Sequence, residues 1–145
     1  MKISQIITER YENQDPNRPP DFIIDHQDGN TKIWYDTNRD YHRDGDLPAY
    51  IDERLGTQVW YQHGNRHRDG DEPAFLRTQD NSMEWWKNGN LHRETGPAAL
   101  SDGGYIRFAL NGLTYSVDEW LEEVADLTDM PRYKFLIMKN KYGLH

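Results

Sequence analysis

A self-similar unit of about 25 residues constrains this chain more than any other feature. Three segments align: IWYDTNRDYHRDGDLPAYID from Ile33, VWYQHGNRHRDGDEPAFLR from Val59, and EWWKNGNLHRETGPAALS from Glu84. His42, His67 and His92 are each 25 residues apart. Trp34, Trp60 and Trp85 are spaced 26 and then 25, and Pro48, Pro73 and Pro97 are spaced 25 and then 24. Unit one therefore carries an extra residue before its His, and unit three has lost one in the loop that follows. A fourth, degraded unit follows in FALNGLTYSVDEW, where Asn111-Gly112 matches Asn88-Gly89. Such units stack on their neighbours, so stability comes from adjacent repeats more than from one long-range core.

The punctuation within each unit is turn chemistry. His63-Gly64-Asn65 and Asn88-Gly89-Asn90 supply the positive-φ positions that tight hairpins need. The stretches after Pro-Ala, such as Ala74-Phe75-Leu76-Arg77, suit strands, as do the stretches around the Trp-aromatic pairs. Glu53 to Gly56, Thr78 to Asn81 and Asp102 to Gly104 read as turns between them. Upstream, Phe22-Ile23-Ile24 and Lys32-Ile33-Trp34 flank a further turn at His26 to Asn30. The fold class expected is mainly β: an antiparallel meander of repeated hairpins, about eight short strands, with one C-terminal amphipathic helix. Neighbouring strand residues point to opposite faces, so Trp34 and Tyr35, or Tyr50 and Ile51, place apolar groups on both. The sheet must curl on itself or carry aromatic ladders with a cover on one face.

The cover is legible at residue 116. Ser116-Val117-Asp118-Glu119 is a capping box, and Val117, Trp120, Leu121 and Val124 follow at helical spacing to about Leu127. Pro131 stops this helix. The chain thus divides, within a single domain, into an N-terminal segment (1–21), hairpin repeats (22–115), an acidic helix (116–129) and a tail (130–145). The tail is apolar enough from Tyr133 to Met138 to return as a strand or dock as a helix.

Charge and composition exclude several function classes. The net charge is −8, from 17 basic and 25 acidic residues. A general nucleic-acid binder needs the reverse balance to neutralise phosphates, so no direct nucleic-acid contact is expected. The absence of Cys excludes disulfides, Cys-type zinc sites and a Cys nucleophile. MKISQIITERYENQD lacks the apolar core of a signal peptide, and no apolar run approaches a membrane span, so a cytoplasmic location is expected.

Three copies of His-Arg-(Asp/Glu) invite an acid-base reading, because His beside a carboxylate is the usual pair. In a stacked array the same residues have a structural use: the Arg pairs with a loop carboxylate, and the His bonds to a neighbouring turn. The structural reading is the one adopted, with no catalytic residue assigned. Asp44-Gly45-Asp46 and Asp69-Gly70-Asp71 offer oxygens but lack the full calcium-loop spacing. Zinc held by His63 and His67 would need a helix where the Gly-Asn turn stands. No metal and no cofactor are therefore expected. Walker, Rossmann, nucleophile-elbow and His-Glu-x-x-His motifs are absent.

The asymmetric feature is electrostatic. Asp118, Glu119, Glu122, Glu123, Asp126 and Asp129 lie between Ser116 and Asp129 with no base among them, whereas Arg132 onward carries four bases and no acid. The first five are the candidate partner-binding residues, a negative face for a basic or nucleic-acid-binding protein. Edge strands of the meander offer a homodimer contact as well.

The pattern Trp-(Tyr/Trp)-x-x-Gly-x-x-His-Arg-x-x-Gly-x-x-Pro-Ala, carried best by Trp85 to Ala98, resembles the MORN-like repeats of bacterial, bacteriophage and giant-virus proteins. The resemblance covers roughly residues 22–120. It implies a non-enzymatic interaction scaffold and, for a small acidic phage-type member, an accessory protein acting in the host cytoplasm on a nucleic-acid-handling or defence complex. Two alternatives stand beside it: a metal-dependent or acid-base hydrolase using the His-Arg-Asp loops, and a self-associating structural repeat.

Overall fold

The computed structural model describes residue 15 and residues 17–128, 136–137 and 140–141. The chain is mainly β, with thirteen antiparallel strands among the described residues and the helix Val117–Thr128 after them. Strands β1 (Phe22–His26), β2 (Gly29–Ile33), β3 (Tyr50–Asp52), β4 (Thr57–Val59), β7 (Phe75–Arg77), β8 (Ser82–Glu84), β11 (Ala99–Ser101), β12 (Tyr105–Leu110) and β13 (Leu113–Tyr115) form one sheet in that order. Two further ladders stand apart, β5 (Tyr61–Gln62) with β6 (Asn65–Arg66) and β9 (Trp86–Lys87) with β10 (Asn90–Leu91).

The strand number exceeds the eight expected, and the reason is local. The Trp-to-His interval does not continue the sheet. It folds into a small side hairpin whose two turn residues both take positive φ, His63 (46°) with Gly64 (83°) and Asn88 (51°) with Gly89 (79°). Mirror-image turns of this kind match the twist of their flanking strands. In unit one the longer loop from Asp36 to Asp40 leaves only an isolated bridge between Tyr35 and Tyr41. In unit four, Asn111-Gly112 joins β12 to β13 directly.

Each unit therefore contributes two strands to the main sheet and one excursion to its side. The meander turns at Glu53 to Gly56, Thr78 to Asn81 and Asp102 to Gly104 stand where the sequence places them. In the sheet, Phe22, Ile33, Tyr50, Val59, Phe75, Glu84, Ala99 and Arg107 face one another across successive strands. Directly opposed residues share a face, so these eight make one row across it. Ile23, Lys32, Ile51, Gln58, Leu76, Met83, Leu100 and Ile106 make the adjacent row, on the other face.

Buried Trp34, Trp60 and Trp85 sit at the junction between sheet and excursions, beside the fully buried Ala49, Ala74 and Ala98. The backbones pair there: Trp34, Trp60 and Trp85 N–H donate to the carbonyls of Ala49, Ala74 and Ala98 at 2.8–2.9 Å. Phe108 takes the equivalent place in unit four and opens a second core cluster with Leu110, Trp120 and Val124.

Trp120 and Val124 belong to helix α1 (Val117–Thr128), which closes the end of the array. The capping box forms as read: Ser116 N–H donates to Glu119 Oε2 at 2.9 Å, and Glu119 N–H donates to Ser116 Oγ at 3.3 Å. The opposite end is closed by Arg18, whose carbonyl accepts Trp34 Nε1–H at 3.0 Å and whose guanidinium binds Asp21 and the Tyr35 carbonyl. The stop at Pro131 and most of the N-terminal and tail segments lie outside the described residues; Leu136, Ile137, Asn140 and Lys141 are helical. Among the described residues no helix is long and apolar enough to cross a membrane.

Candidate functional site

The His-Arg-(Asp/Glu) loops occupy the seam between units, and their bonds repeat with a fixed direction. Each His donates Nε2–H to the carboxylate two residues on: His42 to Asp44 (3.1 Å), His67 to Asp69 (3.0 Å) and His92 to Glu94 (3.2 Å). Each Nδ1 then accepts a backbone N–H from the turn of the next unit, from His63 (3.1 Å), Asn88 (3.0 Å) and Asn111 (3.0 Å) respectively. The tautomer is thereby fixed, because an acceptor nitrogen carries no proton.

The arginines add a second joint. Arg43, Arg68 and Arg93 lie over the rings of Trp34, Trp60 and Trp85 at 3.9, 3.9 and 3.7 Å from the centroids. Each also donates to the carbonyl of its own Pro48, Pro73 or Pro97. Arg68 grips Asp46 through two nitrogens, and Arg93 grips Asp71 in the same way, both reaching back 22 residues to the previous unit. A two-pronged, partly desolvated pair of this kind is stronger than an ordinary surface ion pair. Arg68 holds the Asp46 carboxyl below the usual carboxylate range. At Asp71 burial pushes upward, but bonds from Arg93 and Thr95 outweigh it.

These loops therefore fasten units to one another, as the repeat reading expects. Both nitrogens of His42, His67 and His92 are engaged, so none offers a lone pair for proton abstraction without releasing its joint. The acids of the two Asp-Gly-Asp turns are likewise occupied: Asp44 and Asp69 by histidine, Asp46 and Asp71 by arginine. His63 lies in the turn of a hairpin and His67 just past its second strand, with no helix turn between them, and they bind different carboxylates.

The acidic helix is the other candidate. Asp118, Glu119, Glu122, Glu123 and Asp126 are all exposed on α1, while Trp120 and Val124 are its buried residues. Glu119 is committed to the cap, and the Ser116 backbone and hydroxyl hold its carboxyl low. Glu122, Glu123 and Asp126 make no ion pair among the described residues. Glu119, Glu122 and Glu123 wall a shallow depression of about 370 Å³ whose other side is Leu113, Thr114 and Tyr115 of β13. Asp129 lies outside the described residues.

No family model, curated protein or solved structure matches this chain.

One constellation is absent from the sequence reading. His63, in a turn position that units three and four fill with Asn, donates Nδ1–H to buried Asp36 at 2.8 Å and stacks on His42 with centroids 4.0 Å apart. Asp36 also accepts the N–H groups of Asn38 and Asp40. Burial raises its pKa, and these three bonds more than reverse the effect. The available signal was the substitution itself, a His where the pattern has Asn.

Proposed function

We propose that this protein is a non-enzymatic protein-binding module that presents the outer face of α1 to a basic partner surface. The observation that carries the reading is the run of exposed carboxylates at Glu122, Glu123 and Asp126, which meet no cation among the described residues, whereas the acids of the two Asp-Gly-Asp turns are taken by His and Arg. A helix kept only for solubility commonly interleaves Lys with Glu at i, i+4, and this one carries no base. Uncompensated charge of one sign steers a complementary partner and raises its association rate. The likeness of the units to MORN-like repeats supports a scaffold, and through it a phage-type accessory role against a host nucleic-acid-handling or defence complex.

The test is affinity capture with the wild-type chain and with Glu122→Lys plus Glu123→Lys, after circular dichroism shows equal folding. Expected are loss of the captured partner in the variant and steep weakening of the wild-type complex between low and physiological salt. A partner retained equally by both proteins would sink this surface.

A further inference from the structure

The three Pro-Ala motifs are followed by Tyr50, Phe75 and Ala99. These positions are equivalent in the fold, because each lies in the same row of the sheet and each follows the buried Ala that pairs with the unit's Trp. In unit one the Tyr50 ring meets Tyr41 edge-on at 6.4 Å. In unit two the Phe75 ring lies under the Arg66 guanidinium at 5.6 Å. Tyr41 and Arg66 are themselves equivalent, each supplying the carbonyl that accepts the next unit's turn Gly N–H. An aromatic ring thus bridges sheet and side hairpin in both units. In unit three the pair is Ala99 and Leu91, neither of which carries a ring, and Trp86 of the side hairpin packs against their cluster.

A groove of about 330 Å³ opens at that place. Its floor is Leu91 and Ala99, and its walls are Trp86, Tyr105, Arg107 and Thr114. Glu84 also borders it, but its Oε2 already accepts Trp86 Nε1–H at 2.7 Å and Arg66 at 3.2 Å. Arg107 has no carboxylate partner among the described residues; its guanidinium lies 5.5 Å from the Tyr105 centroid. Units one and two show what this seat takes: a flat ring, held against an aromatic neighbour in unit one and against guanidinium neighbours in unit two.

We propose that this groove receives the Phe or Tyr side chain of a partner protein, with an acidic residue beside it that pairs with Arg107. The ring replaces the one missing at Ala99, and the carboxylate answers the one exposed arginine of the groove. This site is distinct from the acidic face of α1, so either can fail without the other.

The experiment is a two-dimensional NMR titration of the full chain, labelled with nitrogen-15 and read at the Trp86 indole N–H. The probes are acetyl-Phe-Asp-amide, acetyl-Leu-Asp-amide and acetyl-Phe-Lys-amide. Expected is a saturable shift with Phe-Asp, and binding roughly fivefold weaker or more for the other two, as loss of one ring–cation or ion-pair contact implies. Ala99→Phe fills the seat from within and should abolish the response. Arg107→Glu should reverse the preference between Phe-Asp and Phe-Lys. No saturation with Phe-Asp, equal binding of Leu-Asp, or an unchanged response in folded Ala99→Phe overturns the proposal. Should Ala99→Phe fail to fold, an unchanged charge preference in Arg107→Glu overturns it instead.

Discussion

A histidine whose Nδ1 accepts a backbone N–H can hold that bond only while neutral, and this chain repeats the arrangement at His42, His67 and His92. His42 is the buried member. Burial lowers its pKa and the neighbouring His63 adds to that, while Asp44 and Asp36 pull the other way without prevailing. A base with a depressed folded pKa leaves the unfolded chain binding more protons. Stability is therefore full above the ordinary imidazole value of 6.5 and falls as pH drops from there towards the folded pKa. Urea unfolding at stepped pH should show this loss, and His42→Gln should flatten it; parallel profiles for the two proteins would refute the assignment. The pairing of each His and Arg with loop acids was legible in the sequence, because three copies in register leave few other uses for them. The contact between His42 and His63 was not, since nothing in a linear pattern brings residues 21 apart into a ring stack.

At the scale of the element, the side hairpins depend on their glycines in two separable ways. Gly89 has φ of 79°, and a Cβ there would come within 2.9 Å of Asn65 Oδ1 in the preceding unit's turn. Gly70 has a similar φ of 74° but nothing within 4 Å. Both Ala variants carry the left-handed cost of about 1–2 kcal/mol, but only Gly89→Ala also forces a neighbouring side chain, that of exposed Asn65, to turn aside. Chemical denaturation should show Gly89→Ala to be modestly the less stable of the two, and equal losses would mean that the Asn65 side chain moves aside at no cost. The turn residues announced these hairpins, yet the hairpins were not counted as strands. Ladders two residues long carry no period, so the Trp-to-His stretch read as part of its neighbours. Helix α1 was legible almost to the residue because the capping box and the Trp120–Val124 stripe agree. The seat beside Ala99 was hidden for the opposite reason, since a missing side chain leaves no motif.

For the whole molecule the decisive fact is that the seam bonds join adjacent units. The His joints span 19 to 21 residues and the Arg–Asp joints 22, and each is made from groups that recur in the next repeat. Arg18 closes one end, and α1 closes the other by setting Trp120 Nε1–H on the Arg93 carbonyl at 3.1 Å. A second copy of residues 59–83, placed between Met83 and Glu84, would meet the same His–turn and Arg–Asp seam partners on both sides, while its His63 would face Gln62 in place of Asp36. Nearest-neighbour coupling then predicts a folded chain, one unit longer, melting no lower than the original; a scanning calorimetry trace with a lower or broadened transition would contradict it. In hereditary terms the seam makes unit number a neutral character. An unequal exchange between two repeats in the coding sequence, which would wreck most proteins, here adds or removes one 25-residue unit while keeping both end caps. Lineages of this protein would then be free to differ in length before they differ in anything else.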